Sequence, residues 1–206
     1  MSYTARDIRN VCFIGHGGDG KTALAESMLF YTKGTDRLGK SADGTTISDY
    51  DPEEIKRKYS ISTSIIPIEY GRSKINILDN PGYFDFAGEV MQSVRVVDSG
   101  VIVVSAKNGI GVGTEKSWKY LYERKLPKFV YISKLDEEHA DFFKTFEQLR
   151  EKFGKTLAPI VIPIVEDNKT IGIVDIIHKN AFLSGKGKTQ NIGVPDSLKD
   201  KVDEYY

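Results

Sequence analysis

Between the unbroken apolar run Val11–Ile14 and the stretch Ala23–Phe30, the chain places Gly15-His16-Gly17-Gly18-Asp19-Gly20-Lys21-Thr22. Glycine loses more conformational freedom on folding than any other residue. A turn holding four of them is therefore kept for a backbone path that side chains would block. The spacing Gly15-x-x-x-x-Gly20-Lys21-Thr22, set between a strand and a helix, is that of the P-loop. Its successive N–H groups converge into a nest for phosphate oxygens, and the next helix adds its N-terminal dipole. The loop from Gly15 through His16, Gly17, Gly18, Asp19 and Gly20 is the expected cradle. Lys21 is expected to bridge terminal phosphates as a point charge, and Thr22 to ligate Mg²⁺. Asp19 is expected to face outward, because an inward carboxylate would repel phosphate.

This loop fixes the setting of the rest. The runs 11–15, 75–79, 101–106 and 128–133 are continuously apolar and β-branched, as strands covered on both faces are. Helices are expected over 22–31, 84–97, 114–124 (with Thr114 as N-cap) and 141–153. "ISTSIIPIEY" and "KINILDN", separated by "GRS", read as a hairpin and supply one antiparallel pair. The fold class is thus α/β: a P-loop, doubly wound, mostly parallel sheet with one antiparallel strand. Residues 33–58 are polar, show no convincing period, and form a loop too long for a mere connection. After Gly154, "APIVIPIV", "KTIGIVDII" and "NAFLSGKGK" follow one another as strand-turn-strand, and 194–206 could begin a helix. A domain over 1–156 and a β-rich unit over 157–206 are expected.

Two further stretches bear on the ligand. "INILDNPGY" puts Asp79 at the carboxyl end of a buried strand, where ligands of open α/β sheets collect. Asp79 is expected to hold Mg²⁺ through water, and the Gly82 N–H to meet a γ-phosphate. "YISKLDEE" ends another buried strand with Ser133-Lys134-Leu135-Asp136. The Lys134 stem would lie along a purine face, and Asp136 would accept from guanine N1–H and its 2-amino group. Adenine offers no such donor pair, leaving the carboxylate unpaired. By itself this tetrapeptide is a solvated helix start; its place after the strand favours guanine. A P-loop ATPase or kinase is the reading if Ser133–Asp136 are solvated.

"GHGGDGKT", "DNPGYFDFAGEVMQSVRVVDSGVIVVSAKNGI" and "SKLD", in this order, resemble the translational GTPases, and among them the elongation factor G-like family. The resemblance implies a GTP/GDP-binding G domain that uses Mg²⁺ and lacks its last strand, followed over 157–206 by the start of the insert of that family. It also implies that the chain is an N-terminal part of a longer protein. The switch I hydroxyl that ligates Mg²⁺ falls at Ser60, with Thr63 as fallback, and 33–58 becomes switch I, mobile without GTP. Three departures point to a divergent paralogue. Tyr83 stands where the family has a histidine that positions the attacking water. Ser133 replaces an asparagine, and Gly18 replaces an aspartate that here comes one place later as Asp19.

Two readings remain. One is a Mg²⁺-dependent GTPase in which Lys21 and Tyr83 act at the reacting phosphate; the other is a GTP-sensing switch with little chemistry. The expected partners are a guanine nucleotide and, through the full-length protein, the ribosome. Lys+Arg and Asp+Glu are balanced at 29 each, which removes generic polyanion binding, so no sequence-specific nucleic acid is expected. No run approaches the ~18 apolar residues of a membrane span, and the single cysteine, Cys12, excludes a disulfide framework. A cytoplasmic monomer is expected.

Overall fold

The computed structural model describes residues 3–167, 169–184 and 189–206. It divides into two compact units, up to Ser133 and from Lys134 onward. The first holds strands β1 (Ile8–Gly15), β2 (Ser64–Tyr70), β3 (Ser73–Asp79), β4 (Ser99–Ser105) and β5 (Lys128–Ser133), in the order β2-β3-β1-β4-β5. β1 lies at the centre, parallel to β3 and β4, and β4 is parallel to β5. Only β2 runs antiparallel, paired with β3 through the short turn at Gly71, as the hairpin reading expected. Pro67 lies in β2, which is an edge strand, where a missing N–H is tolerated.

Both faces of this sheet are covered. Helix α1 (Lys21–Tyr31) sets Ala25 and Leu29 on Phe13, Ile66, Ile68 and Ile77. Burying each of these large side chains is worth roughly 1.5–3 kcal/mol. Alternation along the strands sends Cys12, Ile14 and Gly100 to the opposite face, where α4 (Val112–Glu123) packs on β1 and β4. Leu121 lies there fully buried, its methyl groups against Gly100 with no room for a side chain.

Three local expectations are corrected. Thr114 is not an N-cap: α4 starts at Val112, and the Thr114 hydroxyl accepts from Gly111 N–H at 3.2 Å, so the capping pair runs in reverse. The expected helix over 84–97 is shorter, a 3₁₀ turn at Phe84–Phe86 followed by α3 (Ala87–Ser93). It stops because the chain must turn into β4, where the Asp98 carboxylate takes the β1 amide of Asn10 at 2.8 Å. The stretch 33–58 is not featureless either. It contains a 3₁₀ turn at Ser41–Asp43 and α2 (Pro52–Arg57). Asp51 and Glu54 form a capping box around Pro52 at the first helical position, a start signal legible as Asp-Pro-Glu-Glu.

The second unit, by itself, holds α5 (Phe142–Phe153), the antiparallel meander β6 (Val161–Glu166), β7 (Lys169–Asp175), β8 (Asn180–Ser184), β9 (Thr189–Ile192), and α6 (Asp196–Tyr205). Its core is Ile162, Ile164, Val174, Ile176, Ala181 and Val202, with Phe142 and Phe143 against it. Asp141 caps α5, taking the Lys144 amide at 3.0 Å. The absence of helices between successive strands, read from the sequence after Gly154, holds here. The end of "NAFLSGKGK", residues 185–188, lies outside the described residues.

Candidate functional site

The P-loop leaves β1 at Gly15, the residue in register with Val103 of β4. Gly18 and Gly20 have φ of 79° and 92°, the left-handed region that glycine alone adopts without strain, and Gly20 caps α1. The N–H of Asp19 closes a turn on His16 O at 3.3 Å. His16 itself is exposed and lies against Gly111 and Gly113 at the start of α4. Its carbonyl accepts from Lys21 Nζ at 2.8 Å, and Gly15 O accepts at 3.2 Å. Asp19 is not outward-facing: it is 1 % exposed. Its charge, like that of Asp79, favours the ammonium form of the buried Lys21. Burial still dominates and pulls the Lys21 pKa below its ordinary value.

Four oxygen-bearing side chains converge beside this loop. Thr22 Oγ1 donates to Asp79 Oδ2 at 2.7 Å and lies 3.3 Å from Ser60 Oγ, which donates to Asp49 Oδ1 at 2.7 Å. Asp79 Oδ1 is buried and has no hydrogen-bond partner among the described residues. Burial pushes the Asp79 carboxyl up to about 6, against the opposing pull of Thr22 and Lys21, and the Asp49 charge adds to the rise. Burial raises Asp49 as well. The structure thus brings together the expected Thr22, Ser60 and Asp79, and adds Asp49, for which the sequence carried no signal. Thr63 lies elsewhere, donating to Asn80 Oδ1 at 2.9 Å.

Thr22, Asp49 and Ser60 line a cleft of about 260 Å³ together with Gly17, Gly18, Gly20, Lys21, Lys58, Tyr59, Gly82 and Tyr83. Gly82 lies against Gly17 and Lys21, where a Cβ would collide with both. Tyr83 is 46 % exposed, lies over Gly17 and packs on Tyr59 at 4.7 Å between ring centroids. Hard oxygen donors with few carboxylates suit Mg²⁺, which retains waters and phosphate ligands and does not require a protein cage. No group of three or more His, Cys, Asp or Glu that could hold a metal occurs among the described residues.

Ser133 ends β5 buried, its hydroxyl 2.6 Å from Asp19 O and 3.2 Å from Val104 O. The serine therefore ties the P-loop to the sheet. Lys134 and Asp136 follow it in the chain within the second unit. There Lys134 has φ of 59° and pairs with Glu137 at 2.8 Å, and Asp136 is exposed. Among the described residues no helix is long and apolar enough to cross a membrane.

Comparison with known proteins agrees with this geometry. A family model described as the elongation factor Tu GTP binding domain matches residues 6–204. The chain is 32 % identical to elongation factor G of Granulibacter bethesdensis over 202 residues, covering 96 % of this chain and 29 % of that protein. It is 37 % identical to elongation factor G 2 of Borreliella afzelii, over 82 % of this chain and 25 % of that one. It is 36 % identical to the mitochondrial ribosome-releasing factor 2 of Candida albicans, over 86 % and 23 %. A crystal structure of a protein from Thermus thermophilus superposes with a TM-score of 0.91 at 34 % identity, over 96 % of this chain and 30 % of that one. The chain spans less than a third of the length of each. It belongs to the elongation factor Tu GTP-binding domain family of translational GTPases, as an elongation factor G-like G domain.

Proposed function

We propose that the chain binds and hydrolyses GTP with Mg²⁺, as the G domain of an elongation factor G-like, ribosome-associated translation factor working in the cytoplasm. The observation that carries this reading is the buried Asp79 carboxylate beside Thr22 and Ser60 at the P-loop, its Oδ1 without a well-aligned hydrogen bond among the described residues and with only the Ser48 hydroxyl acting on the group as a donor besides Thr22. A buried carboxylate oxygen is costly unless something completes it. Mg²⁺, when bound, neutralises charge on the β- and γ-phosphates. The Thr22 and Ser60 hydroxyls would hold it directly, and Asp79 would hold it through water. The backbone N–H groups from Gly15 to Gly20 take phosphate oxygens, and Lys21 bridges the terminal ones. The N–H of Gly82 faces the γ-phosphate.

Base selection belongs to Lys134 and Asp136 in this reading, with the lysine stem on the purine face and the carboxylate on the guanine donors. In this reading residues 1–156 belong to the G domain and 157–206 to the insert. The domain acts as a monomer.

One observation favours a second reading. Tyr83 occupies the place next to Gly82 that would position water, and a phenol hydroxyl can hydrogen-bond that water but is a poorer general base than an imidazole. The domain would then be a GTP-sensing switch that controls docking on the ribosome. Single-turnover hydrolysis with and without ribosomes separates the two. The enzyme reading expects phosphate release above the solution background, rising with ribosomes. Release at background in both sinks it and leaves the switch.

A further inference from the structure

Glu26 is a fully buried acid on α1, with no part in the phosphate or cation chemistry described above. Its two oxygens face two backbone donors from the segment that follows: Oε1 accepts from Ile47 N at 2.6 Å, and Oε2 from Gly39 N at 3.2 Å. Gly39 is required for this approach, since a Cβ there would run into Glu26 Oε2 and sit 2.7 Å from Thr46 Cα. Two residues past Ile47, Asp49 takes the Ser60 hydroxyl, and Ser48 O takes the Ser64 hydroxyl at 2.6 Å. Glu54 does the same from the other side of Ser60, accepting Ile61 N at 2.8 Å and Ser62 N at 3.0 Å. Ser60, which has no regular element of its own, is thus suspended between two buried carboxylates.

We infer that Glu26 is a positioning residue for the γ-phosphate side of the site. By holding the 39–47 backbone on α1, it keeps Asp49 and Ser60 facing Thr22 and Asp79. The inference rests on the proposed GTP reading for its effect on affinity, but not for the clamp itself. A diphosphate needs the P-loop and not Ser60, so loss of the clamp should discriminate between GTP and GDP. Charge-assisted bonds to a carboxylate are among the stronger ones, and breaking such a pair leaves the segment without its anchor.

Glu26→Gln is the isosteric test. An amide has one acceptor oxygen for two N–H donors, so whichever way it turns, its NH₂ faces an N–H. Gly39→Ala attacks the same contact from the loop side, at a buried position where the added Cβ meets Glu26 Oε2 and the Thr45–Thr46 backbone, and serves if the first variant does not fold. Three measurements on the full chain decide: GTP and GDP affinity in Mg²⁺, and amide exchange of the nucleotide-free protein. The inference expects GTP to weaken about tenfold while GDP changes less than about twofold, with faster exchange at Gly39, Ile47 and Ser60. An unchanged GTP-to-GDP ratio in a folded variant overturns it. Unprotected amides in the variant beside a wild type that binds neither nucleotide would refute the GTP reading and uphold the clamp. Unchanged exchange at Gly39 and Ile47 would refute the clamp whatever the nucleotide does.

Discussion

Replacing Lys21 with alanine is expected to weaken GTP binding at least about 100-fold while leaving the domain folded. Lys21 Nζ is buried and donates to the loop carbonyls Gly15 O and His16 O, with Asp79 and Asp19 supplying opposite charge. It is not part of the apolar cluster that α1 buries, so its removal costs phosphate contacts and not core burial. Losing two charge-assisted bonds to phosphate corresponds to about 3 kcal/mol, or two decades in affinity. Stability falls as well, because the buried Asp79 and Asp19 lose their counter-charge, an effect offset in part by relief of the ammonium's own desolvation and by protonation of the carboxylates. Calorimetric titration together with a thermal melt checks both halves. An unchanged affinity would remove Lys21 from the phosphate site.

Gly15→Ala should act in the opposite way, on the fold first. Gly15 has φ of 147° and lies against the Val103 carbonyl, so an added Cβ falls on the backbone of the neighbouring strand at the point where β1 launches the loop. Neither partner can move without opening the β1–β4 pairing, and a loss of about 3 kcal/mol or more in unfolding free energy is expected. Gly18→Ala is the control. Its φ of 79° is strained for alanine, but no atom lies within 4 Å, so only the conformational cost of about 1 kcal/mol applies. Urea unfolding of the two variants should show this difference. Equal costs would mean that backbone strain, and not the collision with Val103, governs both positions.

The sheet is legible in the sequence because its strands are continuously apolar and because the glycine loop fixes what lies on either side of it. The hairpin is legible for a similar reason: period-two runs meet at Gly71. What escapes the sequence is held by buried polar contacts, which leave no periodic trace. Asp49 meets Ser60 in a segment whose backbone amides are taken by Glu26 and Glu54, residues far apart in the chain. Repulsion between carboxylate and phosphate argues for an outward Asp19, yet the fold buries it, where its charge favours the Lys21 ammonium. Thr114 carries the chemistry of a cap ahead of an apolar stretch, whereas the chain begins the helix two residues earlier on Gly111. Ser133 reads as a lost amide, yet its hydroxyl still ties Asp19 O to the sheet.

Competition between GTP, GDP and ATP for this chain in Mg²⁺, repeated with Asp136→Asn against xanthine nucleotides, tests the central claim most directly. The account predicts guanine over adenine nucleotides for the wild type. The variant should move toward xanthine, whose 2-oxo group accepts from an amide where the guanine 2-amino group donated to a carboxylate. Preference for ATP, or an Asp136→Asn variant that still chooses guanine, would contradict it.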